Sequence, residues 1–563
     1  MRREVSVVNK KVCSFPILFA LLALLIGTCA VVFPASAQAV PTSTGSITVS
    51  GTVASSYDAY QIFSANVVDG DSDAKIATDL AWASDAVRDA ALPVLHSAGM
   101  PNSQTTAQEA AEWLNTDSHL TSALSAQLAR SLQSSGAVSM ALNAGTAAEL
   151  PCGYWLIVAD DDVIAQGEAG TAPIIALVGG SAVTVKPKAA TPKVFKHVLE
   201  DSTAAWQKAA DATVADDLYW RLSATVPAGL TAYDTYTVRF VDTMSAGLDP
   251  SKVAASMRVY VAAGADGGFD AVSAGKDGRA GTDPAKGWTD ITAQCATKVA
   301  VDGKTFTVRT GDLIAALGGA DAFTAGARVV AVYNAPLNSA CNHGTAKGNP
   351  NEVYLRYPRS PFADQSGDAG FTRTPSDDAC AYTWDLALTK RGSDGDKPLA
   401  GAVLSIADDR GRTLAADGTW DAEGKATVTT GEDGRVTVSG VDSGKLEVRE
   451  LKAPKGYTAF EGTRSVTVKA EGLDVDQVVA AKPKLTITAE SPLRADSADG
   501  STGSLEASLI NTPTGTPPSI TTGGFMPSTG DMAMYAAAAA AAAGAALIVV
   551  ALLVKRGGGS HKE

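Results

Sequence analysis

The chain has 563 residues, of which 45% are hydrophobic, and a formal net charge of -14. That length exceeds what one compact core holds and implies about three or four domains. Lys and Arg form no clustered stripe, which with the acidic balance excludes a nucleic-acid binder and suits a soluble exterior protein.

Residues 1–39 read as an export leader. Arg2, Arg3, Lys10 and Lys11 precede an apolar run and then the small residues Ala35, Ser36, Ala37, Gln38 and Ala39, so cleavage is expected after Ala37 or Ala39. An uncleaved membrane anchor is the alternative for a run this long.

Residues 40–188 mix strand and helix patterns. Thr106-x-x-Glu109 forms a capping box, and Leu120, Leu124, Leu128 and Leu132 recur every four residues as one helix face. Ile47 and Val49 alternate with polar neighbours, and 154–159 and 174–185 are β-rich. The expectation is an α+β domain with a helical insertion. From 189 to 362 short β-runs alternate with Gly, Asp and Asn turns, which predicts a β-sandwich. A polar linker is expected at 363–379, then a second β-sandwich over 380–512. The fold class is therefore mainly β: an α+β domain followed by two immunoglobulin-like sandwiches.

Residues 513–525 are rich in Pro, Thr and Gly and read as a stalk. Residues 526–563 hold Met526-Pro527-Ser528-Thr529-Gly530, an uncharged run over 532–554, and Lys555-Arg556. The run is long enough to span a bilayer, with the basic pair on the cytoplasmic side.

Strand parity singles out charged residues. Side chains two apart share a face. Leu386 and Leu388 lead to Lys390, Leu446 and Val448 to Glu450, and Leu505, Ala507 and Leu509 to Asn511. The preceding sandwich repeats the pattern: Val194 and Val198 flank Lys196, Val238 and Phe240 lead to Asp242, and Asn351 opens the series Val353, Leu355, Tyr357. Each set of one Lys, one acid and one Asn should enter a core. Burial favours neutral amine and protonated acid. A neutral amine is a nucleophile, and the acid can polarise the Asn carboxamide while ammonia departs, leaving an amide cross-link. An ordinary buried ion pair is the plainer alternative.

These residues carry a resemblance. The stretch from Leu446 to Tyr457, LEVRELKAPKGY, looks like the E-box of pilin and collagen-adhesin B-type domains, and Lys390 and Asn511 match that domain's first and last strands. The stretches VDTMSAGL, from Val241, and GNPNEVYL, from Gly348, resemble the isopeptide-forming domain of fimbrial shaft subunits. The resemblance implies Glu450 and Asp242 as autocatalytic acids, with Lys390–Asn511 and Lys196–Asn351 as cross-links and Asn349 as fallback. The C-terminal pentapeptide resembles an LPXTG-type sorting signal, with Met526 in place of the usual Leu, cut by a sortase between Thr529 and Gly530.

In Val183-Thr184-Val185-Lys186-Pro187-Lys188, Lys188 falls on the parity opposite the apolar residues and should face solvent. Similarity to the pilin motif ending in Pro-Lys implies that Lys188 attacks the Thr529 thioester of another subunit, with Lys186 as runner-up. The chain is thus expected to be the shaft pilin of a Gram-positive surface pilus, secreted and anchored to peptidoglycan. Its partners would be a pilus-specific sortase, a wall sortase, other copies of itself, accessory pilins and a host-surface ligand. A monomeric anchored adhesin or tip subunit is the second reading. Multiple-turnover enzymology, a cofactor and nucleic acid are not expected.

Of six cysteines, Cys13 and Cys29 lie in the leader; Cys152, Cys295, Cys341 and Cys380 form no CxxC pair. Disulfides or burial are expected, with Cys341–Cys380 the favoured pairing. Asp69, Asp71 and Asp73 resemble a calcium loop, but Ala74 and Leu80 stand where Gly and Glu belong. No histidine pair has metal spacing, and no metal site is expected.

Overall fold

A computed structural model describes residues 43–515 apart from 52, 72–73, 117–118, 188–190, 229, 265–286, 301–302 and 476–482. The chain is mainly β, in three successive units.

The first unit is built on the long strand Ser56–Asp69, flanked by Lys75–Trp82, Ser139–Asn143 and Gly153–Ala159, with Ile174–Val178 beyond the last. Alternation gives this sheet two dry faces. Tyr57, Ala59, Trp155 and Ile157 pack on a small sheet in which Thr44–Val49 lies between Ala147–Pro151 and Val183–Val185. Ile62, Phe63 and Leu156 pack on the inserted helices Asp85–Ser97, Ala107–Leu114 and Ser122–Ser134.

Thr106 and Glu109 form the expected reciprocal cap on the second helix. Leu124, Leu128 and Leu132 are buried along the third, but Leu120 precedes its Thr121 cap and is 38% exposed. The expected four-leucine face therefore has three members, because the Thr121 hydroxyl ends the helix by accepting from Leu124 N.

In the second unit two sheets face each other. One runs Ala205–Gln207, Val194–Glu200, Tyr219–Thr225, Arg328–Asn334, Arg258–Ala262, Trp288–Asp290. The other runs Ala209–Asp211, Asp377–Tyr382, Asn349–Pro358, Arg239–Met244, Thr305–Arg309, Ala296–Val299. Trp220, Phe240, Phe306, Tyr333 and Leu355 fill the space between.

The stretch 363–379, expected as a linker, belongs to this unit. Phe371–Arg373 and Asp377–Tyr382 both pair with Asn349–Pro358. Gln365 accepts from Thr237 N and Oγ1, and Arg239 donates to Asp368. Gln365 and Asp368 thus tie the stretch to Thr237 and Arg239, although Asp364, Ser366 and Asp368 remain exposed.

The third unit is also a sandwich. Arg435–Val441, Trp384–Gly392 and Ser504–Pro513 are neighbours in one sheet, and Val403–Ala407, Gly444–Lys452 and Thr463–Glu471 in the other. First and last strands run parallel, with Lys390 opposite Leu509 and Gly392 opposite Asn511.

Only Thr383 separates Asp377–Tyr382 from Trp384–Gly392. It is fully buried, donates to Val441 O at 3.2 Å, and its own carbonyl accepts from Gly344 N at 3.1 Å. Beside it, Asp211 Oδ2 accepts from Trp384 Nε1 at 2.6 Å and Ser443 N at 2.9 Å. Arg412 forks onto Asp216 at 2.6 and 2.7 Å. Burial first, and then Asp211, pushes Glu200 up to about 7.

Replacing Thr106 by Ala removes the hydroxyl half of the capping box, the bond from Glu109 N to Thr106 Oγ1, and leaves the residue-106 N–H still donating to Glu109. Chemical denaturation should show this variant less stable by about 1 kcal/mol.

Candidate cross-linking sites

In the third unit, alternation brings three polar side chains into an apolar interior. Leu386 and Leu388 set the inward parity of Lys390, Leu446 and Val448 that of Glu450, and Leu505, Ala507 and Leu509 that of Asn511. Lys390 and Asn511 come from the parallel first and last strands, and Glu450 reaches them from the facing sheet.

Lys390 is fully buried, Asn511 is 2% exposed and Glu450 6%. Lys390 Nζ donates to Asn511 Oδ1 and lies 3.1 Å from Glu450 Oε1. Asn511 Nδ2 donates to Glu450 Oε1 at 2.9 Å and Oε2 at 3.0 Å. One carboxyl thus spans both nitrogens. Phe460 N donates to Oε2 at 3.1 Å, and its ring stands 5.9 Å from Nζ. Burial lowers Lys390 to about 8, with Glu450 pulling the other way.

The second unit repeats the plan with a different layout. Lys196 crosses the core from one sheet to Asp242 and Asn351 on the other, and all three are fully buried. Nζ donates to Asp242 Oδ2, and to Tyr333 Oη at 3.0 Å. Tyr333 Oη donates to Asp242 Oδ2 at 3.0 Å and accepts from Asn351 Nδ2 at 2.8 Å. Asp242 Oδ1 and Asn351 Oδ1 have no hydrogen-bond partner among the described residues. Burial lowers Lys196 to about 8 against the pull of Asp242, and raises Asp242 against the pull of Lys196. Both shifts favour the neutral pair. Trp220 and Tyr333 wall the amine, each ring 5.5 Å from Nζ.

Asn349 is buried too, but its carboxamide is tied to Asn342 N and O and to Ala381 O, away from Lys196. Tyr333 was not among the residues singled out from sequence. It sits on Arg328–Asn334, whose last six residues are all buried, so alternation there marks no special position.

The favoured Cys341–Cys380 disulfide is absent: Cys152, Cys295, Cys341 and Cys380 are all free. The two thiols have other neighbours: Cys341 Sγ lies 3.6 Å from His343 Nε2, and Cys380 Sγ lies 3.7 Å from Ala381 O. The described residues hold no cluster of three or more His, Cys, Asp or Glu able to bind a metal. Lys186 is exposed just after Val183–Val185. Lys188, the leader at 1–39, the pentapeptide Met526, Pro527, Ser528, Thr529 and Gly530, and the apolar run 532–554 lie outside the described residues. Among the described residues no helix is long and apolar enough to cross a membrane.

The pKa values have a checkable consequence in an Asn351→Ala chain, which keeps the Lys196 amine. Between its folded value of about 8 and the unfolded value of about 10.4, the unfolded chain binds more protons. Stability should therefore rise with pH across that window, a slope read from urea titrations and absent from a Lys196→Met reference.

Comparison with known proteins adds a domain-level assignment. The chain is 30% identical over 143 residues to the trypsin-resistant surface T6 protein of Streptococcus pyogenes serotype M6, 24% of either length. It thus spans about a quarter of that curated relative. Among solved structures, the T6 backbone pilin of serotype M6 S. pyogenes aligns with a TM-score of 0.44 at 17% identity, covering 84% of this chain and 98% of that one. The full-length major pilin SpaD of Corynebacterium diphtheriae aligns with a TM-score of 0.40 at 16% identity, with the same coverages. Residues 385–482, which include Lys390 and Glu450, match the SpaA prealbumin-like fold domain.

Proposed function

We propose that this protein is the shaft subunit of a covalent surface pilus of a Gram-positive bacterium, strengthened by two internal Lys–Asn isopeptide bonds. The observation that carries the proposal is the pair of dry Lys–acid–Asn sites, one per sandwich. A single buried trio would suit a plain ion pair. Two, each with an amine whose burial favours the uncharged nucleophile, suit a chemistry that uses it.

In the third unit the neutral Lys390 amine attacks Asn511 Cγ. An Nζ–Cγ bond forms, the Cγ–Nδ2 bond breaks, and Glu450, in contact with both nitrogens, moves the proton that lets ammonia leave. Each acid acts once on its own chain, so there is no turnover. The bond closes a loop over almost the whole domain, which by analogy with long disulfide loops stabilises it by about 5 kcal/mol.

Between subunits, the sequence supports a second amide. A pilus-specific sortase cleaves after Thr529 and passes its carbonyl to Lys188 of the next copy, and a wall sortase transfers the finished polymer to peptidoglycan. The relative named as a surface protein agrees with that location.

Two measurements test this. Glu450→Ala should retain the mass of one ammonia, lack the Lys390–Asn511 peptide, and unfold about 5 kcal/mol more easily than the parent. On a denaturing gel of wall extracts the parent should give a high-mass ladder that collapses with Lys188→Ala; a ladder that survives moves the acceptor to another lysine, and no ladder in the parent removes the shaft reading.

A further inference from the structure

The two sites differ in one respect that the shared residue types conceal. Glu450 touches both nitrogens that exchange places on the Asn carbon: Lys390 Nζ at 3.1 Å and Asn511 Nδ2 at 2.9 Å. Asp242, shorter by one methylene, meets Lys196 Nζ but makes no hydrogen bond to Asn351 among the described residues. Tyr333 stands in the gap. Its hydroxyl lies 3.0 Å from Lys196 Nζ, 3.0 Å from Asp242 Oδ2 and 2.8 Å from Asn351 Nδ2.

We propose that Tyr333 is a catalytic residue of the second unit, a proton relay that links the attacking and leaving nitrogens because Asp242 is too short to span them. The proposal rests on the internal cross-link put forward above. A buried tyrosine ordinarily needs one partner for its hydroxyl. This one has three, and two are the reacting nitrogens.

The step balances without any outside reagent. As Lys196 Nζ bonds to Asn351 Cγ, the nitrogen gives up one proton to Tyr333 Oη. The hydroxyl's own proton, turned from Asp242 toward Nδ2 by rotation about the C–O bond, passes to the departing nitrogen. The Cγ–Nδ2 bond breaks, ammonia leaves, and the phenol is restored. Asp242 keeps its charge balance and holds the amine in line.

Two features suit Tyr333 to this task. Burial first, then Asp242, hold its hydroxyl well above the usual value, so it stays protonated and can both accept and donate. Phe306 packs edge-on against its ring at 4.8 Å, and Trp220 lies opposite it in the strand register, which together fix the position of Oη.

The third unit supplies an internal control, since among the described residues no tyrosine hydroxyl bonds Lys390, Glu450 or Asn511. The full chain is translated in vitro and quenched in denaturant at intervals, and the peptides spanning each cross-link are quantified by mass spectrometry. Tyr333→Phe should slow the Lys196–Asn351 link by roughly 10²-fold or more and leave the Lys390–Asn511 link at the parent rate. Uniform 3-fluorotyrosine, which acidifies the phenol with little change of shape, should alter the rate of the first link alone and keeps the proposal testable if the Phe variant misfolds. Equal rates for parent and Tyr333→Phe, or no response to fluorination, would reduce Tyr333 to a packing residue. A parent chain that forms neither link sinks the cross-linking reading itself, whereas one that forms only Lys390–Asn511 overturns the assignment of the second site and the relay with it.

Discussion

A lysine amine that water cannot reach must find a partner or surrender its charge, and both sandwiches are arranged around that constraint. Lys196 and Lys390 are each fully buried among aromatic and aliphatic side chains. Removing an ammonium from water is costly, and a single carboxylate in a dry core returns only part of that cost. The environment settles the balance by burial outweighing attraction, which leaves the amines near 8 rather than at their ordinary value. Everything else at the two sites follows from this: the acid in contact with each amine, the carboxamide held by Glu450 in one site and by Tyr333 in the other, and the apolar residues that keep solvent from competing.

The same problem is solved with different parts. In the third unit the amine and carboxamide come from neighbouring parallel strands of one sheet, so a long acid reaching over from the other sheet touches both. In the second unit the amine arrives from the opposite sheet to the acid and the carboxamide, and a tyrosine on the amine's own sheet completes the circuit. Strand position thus decides which side chain length is adequate.

Much of this was legible in the sequence because a strand has a period of two. Parity alone placed Lys196, Asp242, Asn351, Lys390, Glu450 and Asn511 indoors, since each continues a run of alternating apolar residues. The method fails where both faces of a strand are dry, and Arg328–Asn334 is such a strand, so Tyr333 gave no signal. Composition misled at 363–379, where two short strands and the side chains of Gln365 and Asp368 attach a polar stretch to the second unit. It also blurred the boundary near 380: Cys380 and Tyr382 pack into the third unit's core while their backbone pairs with Ala209–Asp211 in the second unit's sheet. Leu120 continued a four-residue spacing that the Thr121 cap cut short.

That shared strand has a mechanical meaning. With only Thr383 between one sheet and the next, gripped on one side by Val441 and on the other by Gly344, no free residue remains to act as a swivel. Flexing at this point would tear ladder bonds in two cores at once, so the second and third units should tilt as one stiff lever, and compliance under sideways drag must be sought elsewhere along the chain.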